Sequence, residues 1–371
     1  MTNPIRIVHV FPSFAAGGAQ MRMCALANHF GDRFSHEIVA LDNDTTCRDR
    51  LESRLDIGFP SPPPTSTGLP QRLRAIGRTL RALRPDLLVT SNWGSIEWAI
   101  ANRLGGRVRH IHTEDGFGPD ERDRQIRRRV ITRRLILRSS TTIVPSRTLL
   151  DVAACVWQLP RHSLHYIPNG IDLARFSPAV ALPDTPVIGC VAALRPEKNL
   201  ARLIRAAAIA RREVKFELRI LGDGPDRAAL EHLAAESGMP VMFLGARSDA
   251  ASFYREISLF ALSSDTEQMP LSVMEAMASG LPVITTDVGD ISRMVAAENR
   301  PFIVRRDDAA LAAALSGLII NPERAHMIGR ANRARAIEEF DFAAMARKWS
   351  DVLMPVRRAG AASTSNAVRR G

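Results

Sequence analysis

The chain has 371 residues, which is long enough for two domains with complete hydrophobic cores. Its hydrophobic fraction of 46% and charged fraction of 24% are those of an ordinary soluble protein and argue against a disordered or fibrous class. The formal net charge of +11 favours anionic partners, such as nucleotide phosphates, an acidic membrane surface or nucleic acid.

Cysteine spacing and hydropathy argue against several further classes of protein. The four cysteines lie far apart and include no C-x-x-C pair, which argues against a zinc site and a disulfide framework. The first apolar run, residues 5–11, is interrupted by two polar residues and lacks the continuous core of a secretory signal. The longest weakly apolar stretch, residues 309–320, is too short to span a bilayer. We therefore expect a cytoplasmic protein.

The amino-terminal part begins with a strand pattern at residues 5–11, followed by a loop that contains Gly17 and Gly18. A helix pattern then runs to Gly31. Strand, glycine-rich loop and helix in this order bring backbone amides close to a phosphate, although a glycine pair is also common in ordinary turns. The loop is not a G-x-G-x-x-G sequence, so a nicotinamide site is not indicated.

Strand and helix patterns continue to alternate, which predicts the α/β class with parallel sheets. Strands are predicted at 36–41, 87–90 and 107–111, helices at 72–83 and 93–104, and an extended Pro-rich loop at 59–70. The strand at 107–111 ends in His112, and Asp115 follows shortly after. A histidine at this end of a strand suits a ligand cleft, but equally suits a hydrogen bond to a neighbouring carbonyl.

Residues 121–138 contain eight arginines against two acidic residues and form a helix pattern with one apolar stripe. One interpretation is a domain helix whose stripe packs inward and whose arginines are solvated. The other is that the basic face contacts an anionic membrane. The predicted membrane or acceptor face comprises Arg127, Arg128, Arg133 and Arg134. No nucleic-acid-binding motif accompanies it.

The second half of the chain opens with a turn signal at Asn169-Gly170. A strand pattern at 187–192 leads to Arg195 and Lys198 before a helix pattern at 200–211. Two cations near a helix N-terminus suit a diphosphate clamp, although solvated surface charge is the plainer interpretation.

Residues 257–290 read as strand, loop, helix and strand, with Glu267 in the loop and Glu275 in the helix. The amides of Gln268 and Met269 could reach hydroxyls or phosphates there, and Glu275 could accept a pair of ribose hydroxyls. Two solvated surface carboxylates are the simpler interpretation on spacing alone.

Three segments resemble family 4 glycosyltransferases. E-Q-M-P-L-S-V-M-E-A-M-A-S-G-L-P-V-I-T-T is similar to the E-x7-E segment of that family, and I-P-N-G-I-D followed by F-x-P to its interdomain element. The opening strand followed by Gly-Gly-Ala is similar as well, with Gln20 where Glu is usual. The resemblance implies the GT-B fold: two facing Rossmann-like, doubly wound parallel-sheet domains with a C-terminal helix that crosses back.

On this resemblance we predict four regions. They are an acceptor-side domain at 1–175, a nucleotide-sugar-binding domain at 176–345, a crossing-back helix at 346–356 and a disordered basic tail at 357–371.

The resemblance also implies roles for individual residues. Glu267 would meet hydroxyls of the transferred sugar, Glu275 would hold the ribose, and Lys198 would hold the diphosphate. His112, favoured over Asp115, would lie near the transferred sugar. The remaining predicted donor-binding residues are Gly17, Gly18, Arg195, Gly245, Arg247, Gln268 and Met269.

Besides Gln20, the chain departs from the family pattern at four places. Gln268-Met269 stands where glycine followed by an apolar residue is usual. Ala193 stands where an arginine is usual, and Arg195 is a candidate replacement. Asp290 follows Gly289 where a second glycine is usual. Asp115 precedes Gly116 where many members have a histidine.

The activity implied is transfer of a sugar from a nucleoside diphosphate sugar to an acceptor hydroxyl, with retention of configuration and without a metal or other cofactor. A lipid-linked, cell-envelope or exopolysaccharide glycan is the implied acceptor, reached at the inner face of the membrane. Two alternatives stay open. One is a nucleotide-sugar epimerase of the same architecture; the other is a degenerate nucleotide-sugar or lipid-phosphate binding protein, which Ala193 would favour.

Overall fold

The computed structural model describes residues 4–64, 68–106, 108–117, 119–121, 124–181, 183–247 and 249–354. The predicted disordered tail, residues 357–371, lies outside these ranges, as do the last two residues of the predicted crossing-back helix.

Seven strands of the described part form a first, wholly parallel sheet in the order β3-β2-β1-β4-β5-β6-β7. They are β1 (Ile5–Phe11), β2 (Phe34–Ala40), β3 (Ile57–Gly58), β4 (Leu87–Ser91), β5 (Arg109–Thr113), β6 (Thr141–Val144) and β7 (Leu164–Tyr166). The central strands are buried on both faces, which explains their nearly continuous apolar sequences.

Helices link these strands and cover the sheet. They are α1 (Gly18–Phe30), α2 (Leu69–Leu83), α3 (Ile96–Ala101), α4 (Arg127–Ile136) and α5 (Arg147–Asp151), which a π-helical turn at Val152–Val156 extends. The basic helix is shorter than the predicted span of 121–138. The Glu121 carboxylate accepts a hydrogen bond from the Ile126 N–H at 3.0 Å, which closes a loop just before α4 begins.

Six described strands form a second parallel sheet in the order β10-β9-β8-β11-β12-β13. They are β8 (Val187–Val191), β9 (Glu217–Leu221), β10 (Val241–Phe243), β11 (Leu259–Leu262), β12 (Val283–Thr286) and β13 (Ile303–Val304). The order reverses beside β8, which places a ligand crevice at the carboxyl ends of β8 and β11.

The helices of the second domain surround one large apolar core. They are α6 (Leu200–Ala210), α7 (Arg227–Glu236), α8 (Ala251–Arg255), α9 (Leu271–Ala278), α10 (Ile291–Met294), α11 (Asp308–Ile319) and α12 (Pro322–Glu339).

A final helix, α13 (Phe342–Leu353), follows the second domain but packs on the first. Met345, Trp349 and Leu353 join the same core as Ile7 and Leu26 of the first domain. At its start, a Cβ at Gly170 would lie 2.7 Å from the Cα of Phe342, so the Asn-Gly turn needs glycine for this close approach. The two-domain GT-B prediction is confirmed, whereas the exact domain limits stay predictions.

No helix among the described residues is both long enough and apolar enough to cross a membrane.

Candidate functional site

Two neighbouring cavities lie between the domains, at the carboxyl ends of both sheets. The Glu275 cavity encloses about 760 Å³ and the Lys198 cavity about 650 Å³, and Asn169 and Leu271 line both. Each cavity has one wall from each domain. Glu275 lines one cavity and Lys198 the neighbouring one. That a single nucleotide contacts both residues stays a prediction.

Lys198 and Glu267 meet in the Lys198 cavity. Lys198 ends a short turn after β8, and Glu267 lies in the loop between β11 and α9. The Lys198 Nζ is 2.6 Å from Glu267 Oε1, which also accepts a hydrogen bond from the Ser264 hydroxyl at 2.7 Å. The first residues of α9, Leu271 and Ser272, line the same cavity, so an ammonium and unpaired helix amides face one space.

The loop that carries Glu267 is shaped by Gly289. That glycine has φ +58, and a Cβ there would lie 2.4 Å from the Glu267 carbonyl oxygen and 2.8 Å from that of Gln268. The Gln268 side chain accepts a hydrogen bond from the Ser146 hydroxyl at 3.3 Å. Met269 lines the Lys198 cavity, and its carbonyl accepts one from Asn169 at 3.4 Å.

Asp290, where the family pattern has glycine, joins the two domains. Its backbone N–H donates to the Gln268 carbonyl at 3.0 Å. Its carboxylate accepts hydrogen bonds from the Thr148 N–H at 3.0 Å and the Thr148 hydroxyl at 2.6 Å, at the start of α5 in the first domain. The departure from glycine therefore supplies an acceptor for a helix N-terminus in the opposite domain.

Glu275 lies in α9 and lines the Glu275 cavity, where the Tyr254 hydroxyl donates to its Oε2 at 2.8 Å. Burial raises the pKa of Glu275, while the Tyr254 hydrogen bond and the nearby Arg175 oppose this effect. Burial, followed by the neighbouring Glu275, raises the pKa of Tyr254 well above its usual value. The tyrosine thus stays a donor that orients the carboxylate.

The remaining predicted donor residues are not all at the cleft. Gly18 lines the Lys198 cavity, next to Gly17 at the N-cap of α1, and Arg247 lines the Glu275 cavity two residues after Gly245. Arg195 is exposed and lines neither cavity. Its role as the second cation of a diphosphate clamp stays a prediction.

The preference for His112 over Asp115 as the sugar-contacting residue was wrong. His112 is fully buried, with its Nδ1 2.9 Å from the Thr90 hydroxyl oxygen, because β5 continues to Thr113 and keeps the histidine inside the sheet. Asp115, in the following loop, lines the Lys198 cavity.

Arg22 holds Asp115 in place. Its guanidinium donates to both carboxylate oxygens at 2.6 and 2.9 Å, and to the Asn169 side-chain oxygen at 2.8 Å. It also lies 5.5 Å from the centre of the Trp349 ring on α13. Sequence reasoning missed Arg22; its signal was a charged residue among the apolar positions of α1.

Arg133 was predicted on a membrane or acceptor face, and the membrane part of this prediction is wrong because its side chain is only 1% exposed and lines the Lys198 cavity. It pairs with Glu114 at 3.2 Å and Glu121 at 3.0 Å, and lies about 5 Å from the ring centres of Trp93 and Trp157. These buried carboxylates and rings account for an arginine that faces inward.

The opposite side of α4 is exposed and basic. Arg127, Arg128 and Arg134 lie there, and their role as a membrane or acceptor face stays a prediction. Ile131 and Leu135 are 49% and 60% exposed among these arginines.

Within the described ranges, no three His, Cys, Asp or Glu side chains are grouped so that they could hold a metal ion. Metal independence of the activity stays a prediction.

Two family profiles match the chain, one on each domain. The profile described as Glycosyltransferase Family 4 matches residues 16–175, and the profile described as Glycosyl transferases group 1 matches residues 185–321.

Curated relatives share about 30% identity. The putative glycosyltransferase EpsF of Bacillus subtilis is 32% identical over 51% of this chain and 54% of its own length. A GDP-mannose-dependent alpha-mannosyltransferase of Mycobacterium tuberculosis is 29% identical over 77% of this chain and 80% of its own. The chain spans about half the length of EpsF and of a similar Mycolicibacterium smegmatis mannosyltransferase.

Solved structures with this fold cover almost the whole chain. Sucrose-phosphate synthase of Thermosynechococcus elongatus has a TM-score of 0.79 at 21% identity, over 94% of this chain and 98% of its own. Anabaena HepE, solved with UDP, has a TM-score of 0.79 at 19% identity, and the match covers 94% of this chain and 99% of HepE. At these identities the likeness concerns the fold.

Proposed function

This chain belongs to the family 4 glycosyltransferases, and on that premise we propose that it transfers a sugar from a nucleoside diphosphate sugar to an acceptor hydroxyl, with retention of configuration. The observation that carries the proposal is the Lys198–Glu267 pair at the start of α9, which faces the first domain across one cleft. Cation, carboxylate and helix N-terminus are the groups that a sugar diphosphate needs.

The donor occupies both cavities. Its diphosphate lies against Lys198 and the first amides of α9, where positive charge stabilises the leaving group. The ribose hydroxyls donate to Glu275, which Tyr254 orients, and the base lies toward Arg247. Glu267 and Asp115 accept hydrogen bonds from hydroxyls of the transferred sugar.

The transfer step uses the leaving group as the base. The bond between the anomeric carbon and the phosphate oxygen breaks while the acceptor oxygen bonds to the same face of that carbon. The acceptor proton moves to the departing phosphate oxygen, so no protein nucleophile is required. The residues of the cleft bind and orient, and the charge that develops on the phosphate is offset by Lys198.

The acceptor is a cell-envelope or exopolysaccharide glycan. The support is the set of relatives, which includes the putative colanic acid biosynthesis glycosyltransferase WcaL of Escherichia coli and phosphatidylinositol monomannoside mannosyltransferases of mycobacteria. The exposed arginines of α4, together with Ile131 and Leu135, suit the anionic surface on which a lipid-linked acceptor would lie.

Incubation with radiolabelled UDP-, GDP- and ADP-sugars and a membrane extract tests the proposal. We expect label in a lipid or glycan fraction, with the anomeric configuration of the donor. Conversion of the donor without an acceptor would instead establish an epimerase, and donor binding without turnover a degenerate binding protein.

A matched pair of variants tests the assigned roles. Glu275→Ala should weaken binding of the bare nucleotide more than Glu267→Ala does, because only Glu275 is assigned to the ribose. Equal nucleotide affinities in the two variants would overturn this assignment.

A further inference from the structure

A row of polar side chains crosses the first sheet behind the Lys198 cavity. His110 and His112 lie two residues apart on β5, so they face the same side of the sheet. The Thr90 hydroxyl oxygen lies between them, 2.8 Å from His110 Nε2 and 2.9 Å from His112 Nδ1. At the far end, the Ser140 hydroxyl oxygen is 2.7 Å from His110 Nδ1. Three of the four imidazole nitrogens therefore have a partner, and His112 Nε2 has no hydrogen-bond partner among the described residues.

This last nitrogen faces a carboxylate. His112 Nε2 is 3.6 Å from Glu114 Oε2, and both side chains are fully buried. The other oxygen, Glu114 Oε1, has no hydrogen-bond partner within the described part of the chain. Because both groups are removed from water, an N–H at this distance attracts the carboxylate, whereas a nitrogen lone pair repels it. The arrangement therefore favours a proton on His112 Nε2.

The remaining hydrogen bonds of the row agree with that proton. Desolvation, followed by the neighbouring His112, lowers the pKa of His110 to about 3, so the His110 ring carries a single proton. Ser140 can then donate its hydroxyl proton to His110 Nδ1, and His110 Nε2–H can donate to Thr90. The Thr90 hydroxyl proton is left for His112 Nδ1, which places the His112 proton on Nε2.

Glu114 connects the row to the cavity wall. Its Oε2 accepts a hydrogen bond from Arg133 Nε–H at 3.2 Å. The Arg133 guanidinium lies 5.0 Å from the centre of the Trp93 ring and 5.6 Å from that of Phe117, and all three residues line the Lys198 cavity. Neither His112 nor Glu114 is among the described residues that line it. An effect of His112 on the cavity must therefore pass through Arg133.

We propose that His112 is a positioning residue, whose Nε2–H fixes the Glu114 carboxylate and thereby holds Arg133 in the wall that the acceptor meets. A buried carboxylate that loses a nearby donor is destabilised, so Glu114 and Arg133 would shift together. The inference rests on the proposed function, because the acceptor must reach the transferred sugar in the Lys198 cavity. Its first-domain wall includes Arg133.

Long-range ¹H–¹⁵N correlation spectra of the full chain show which imidazole nitrogens carry protons. The signals of His112 are assigned by their loss in the His112→Gln variant. We expect His112 Nε2 to be protonated in the wild type. An unprotonated Nε2 would overturn the inference, and this measurement needs neither donor nor acceptor.

A matched pair of variants separates the N–H from the bulk of the side chain. Gln and Met have similar lengths, but only Gln can present an N–H donor near the position of His112 Nε2. Exchange of the Arg133 Nε–H proton with solvent, measured by NMR, should stay slow in His112→Gln and become about tenfold faster in His112→Met. Equal exchange rates in the two variants would overturn the positioning role.

The same pair has a functional readout. With radiolabelled donor, the half-saturating amount of membrane extract should rise about tenfold in His112→Met and stay near that of the wild type in His112→Gln. The dissociation constant for UDP or GDP should stay unchanged in both, because Lys198 and Glu275 are untouched. A weakened nucleotide affinity in His112→Met alone would overturn the assignment to the acceptor wall.

Two threonines provide a second pair that leaves His112 in place. Thr90 and Thr142 flank His112 on the neighbouring strands. The Thr90 hydroxyl contacts the His112 ring, whereas that of Thr142 has no hydrogen-bond partner among the described residues. Thr90→Val should raise the half-saturating amount of extract and Thr142→Val should not. Equal effects of the two substitutions would overturn the inference.

Failure of the proposed function gives a different result. A chain with the Nε2 proton and the expected difference in Arg133 exchange, but without sugar transfer, would count against the proposed function alone.

Discussion

The ammonium of Lys198 lies 2.6 Å from the carboxylate of Glu267, and the two side chains are 24% and 9% exposed. This pair occupies the place where the diphosphate and the transferred sugar meet in the proposed complex. A bound diphosphate competes with Glu267 for the ammonium and leaves the carboxylate available to the sugar hydroxyls. The ion pair therefore holds both side chains in position before the donor arrives.

Replacing Lys198 by Met should weaken UDP or GDP binding about tenfold to a hundredfold, because a hydrogen bond to a charged group contributes about 1.5–3 kcal/mol. Isothermal titration calorimetry measures the change. Lys215→Met removes an exposed lysine and should leave the affinity unchanged. Unaltered affinity in the Lys198 variant would show that the diphosphate binds elsewhere.

The raised pKa of Glu275 predicts that the free energy of unfolding depends on pH. Because burial raises its pKa in the folded chain above the ordinary value of 4.5, the folded state holds this proton more tightly than the unfolded state. The stabilising contribution is present below pH 4.5 and is lost as pH rises through the raised folded pKa. Glu275→Gln keeps an acceptor for Tyr254 but has no titrating group. The melting temperature of this variant, relative to that of the wild type, should therefore be higher at pH 7 than at pH 4.

The control for that experiment is Glu323→Gln, at an exposed position of α12. Its melting temperature should follow that of the wild type across the same range. A constant difference between wild type and Glu275→Gln at both pH values would contradict the raised pKa.

Two adjacent arginines on α4 should respond differently to substitution. Arg133→Met leaves Glu114 and Glu121 without their buried partner and should lower the free energy of unfolding by about 3–5 kcal/mol. Arg134→Met alters an exposed residue and should change it by less than about 0.5 kcal/mol. Urea denaturation of both variants gives the comparison, and similar losses would mean that Arg133 is not held as described.

From the exposed arginines of α4 we expect binding to anionic membranes. Changing Arg127, Arg128 and Arg134 together to Gln should reduce binding to phosphatidylglycerol vesicles, by about fivefold for each arginine at low salt. Vesicle flotation measures it, with phosphatidylcholine vesicles as the neutral reference. A triple variant of exposed arginines elsewhere, Arg212, Arg300 and Arg330, should bind as wild type does. An equal loss of vesicle binding in both triple variants would show that binding depends on net charge and not on the position of the arginines.

The features that sequence predicted well are local. Strand β1 was placed at residues 5–11, and Glu267 and Glu275 were placed in a loop and a helix, because apolar periodicity and turn residues act over a few positions. The assignment of both glutamates to one cleft came from the family resemblance, since their spacing alone fits two surface carboxylates equally well.

The features that sequence missed depend on distant partners. Arg22 and Asp115 are 93 residues apart in the chain, and no periodic pattern connects them. Arg133 lies in a helix with arginines on several faces, so periodicity could not show which one turns inward. Its partners, Glu114 and Trp93, come from other elements that only the folded sheet brings together.

Asp290 touches both the loop beside Glu267 and the start of α5, through its backbone and its side chain respectively. Asp290 thus joins the loop that carries Glu267 to the first domain, together with the Ser146–Gln268 and Asn169–Met269 hydrogen bonds. A hinge motion that separates the domains must either break the contacts to Thr148 or pull on Gln268. We therefore expect a change in the angle between the domains to reposition the loop that carries Glu267.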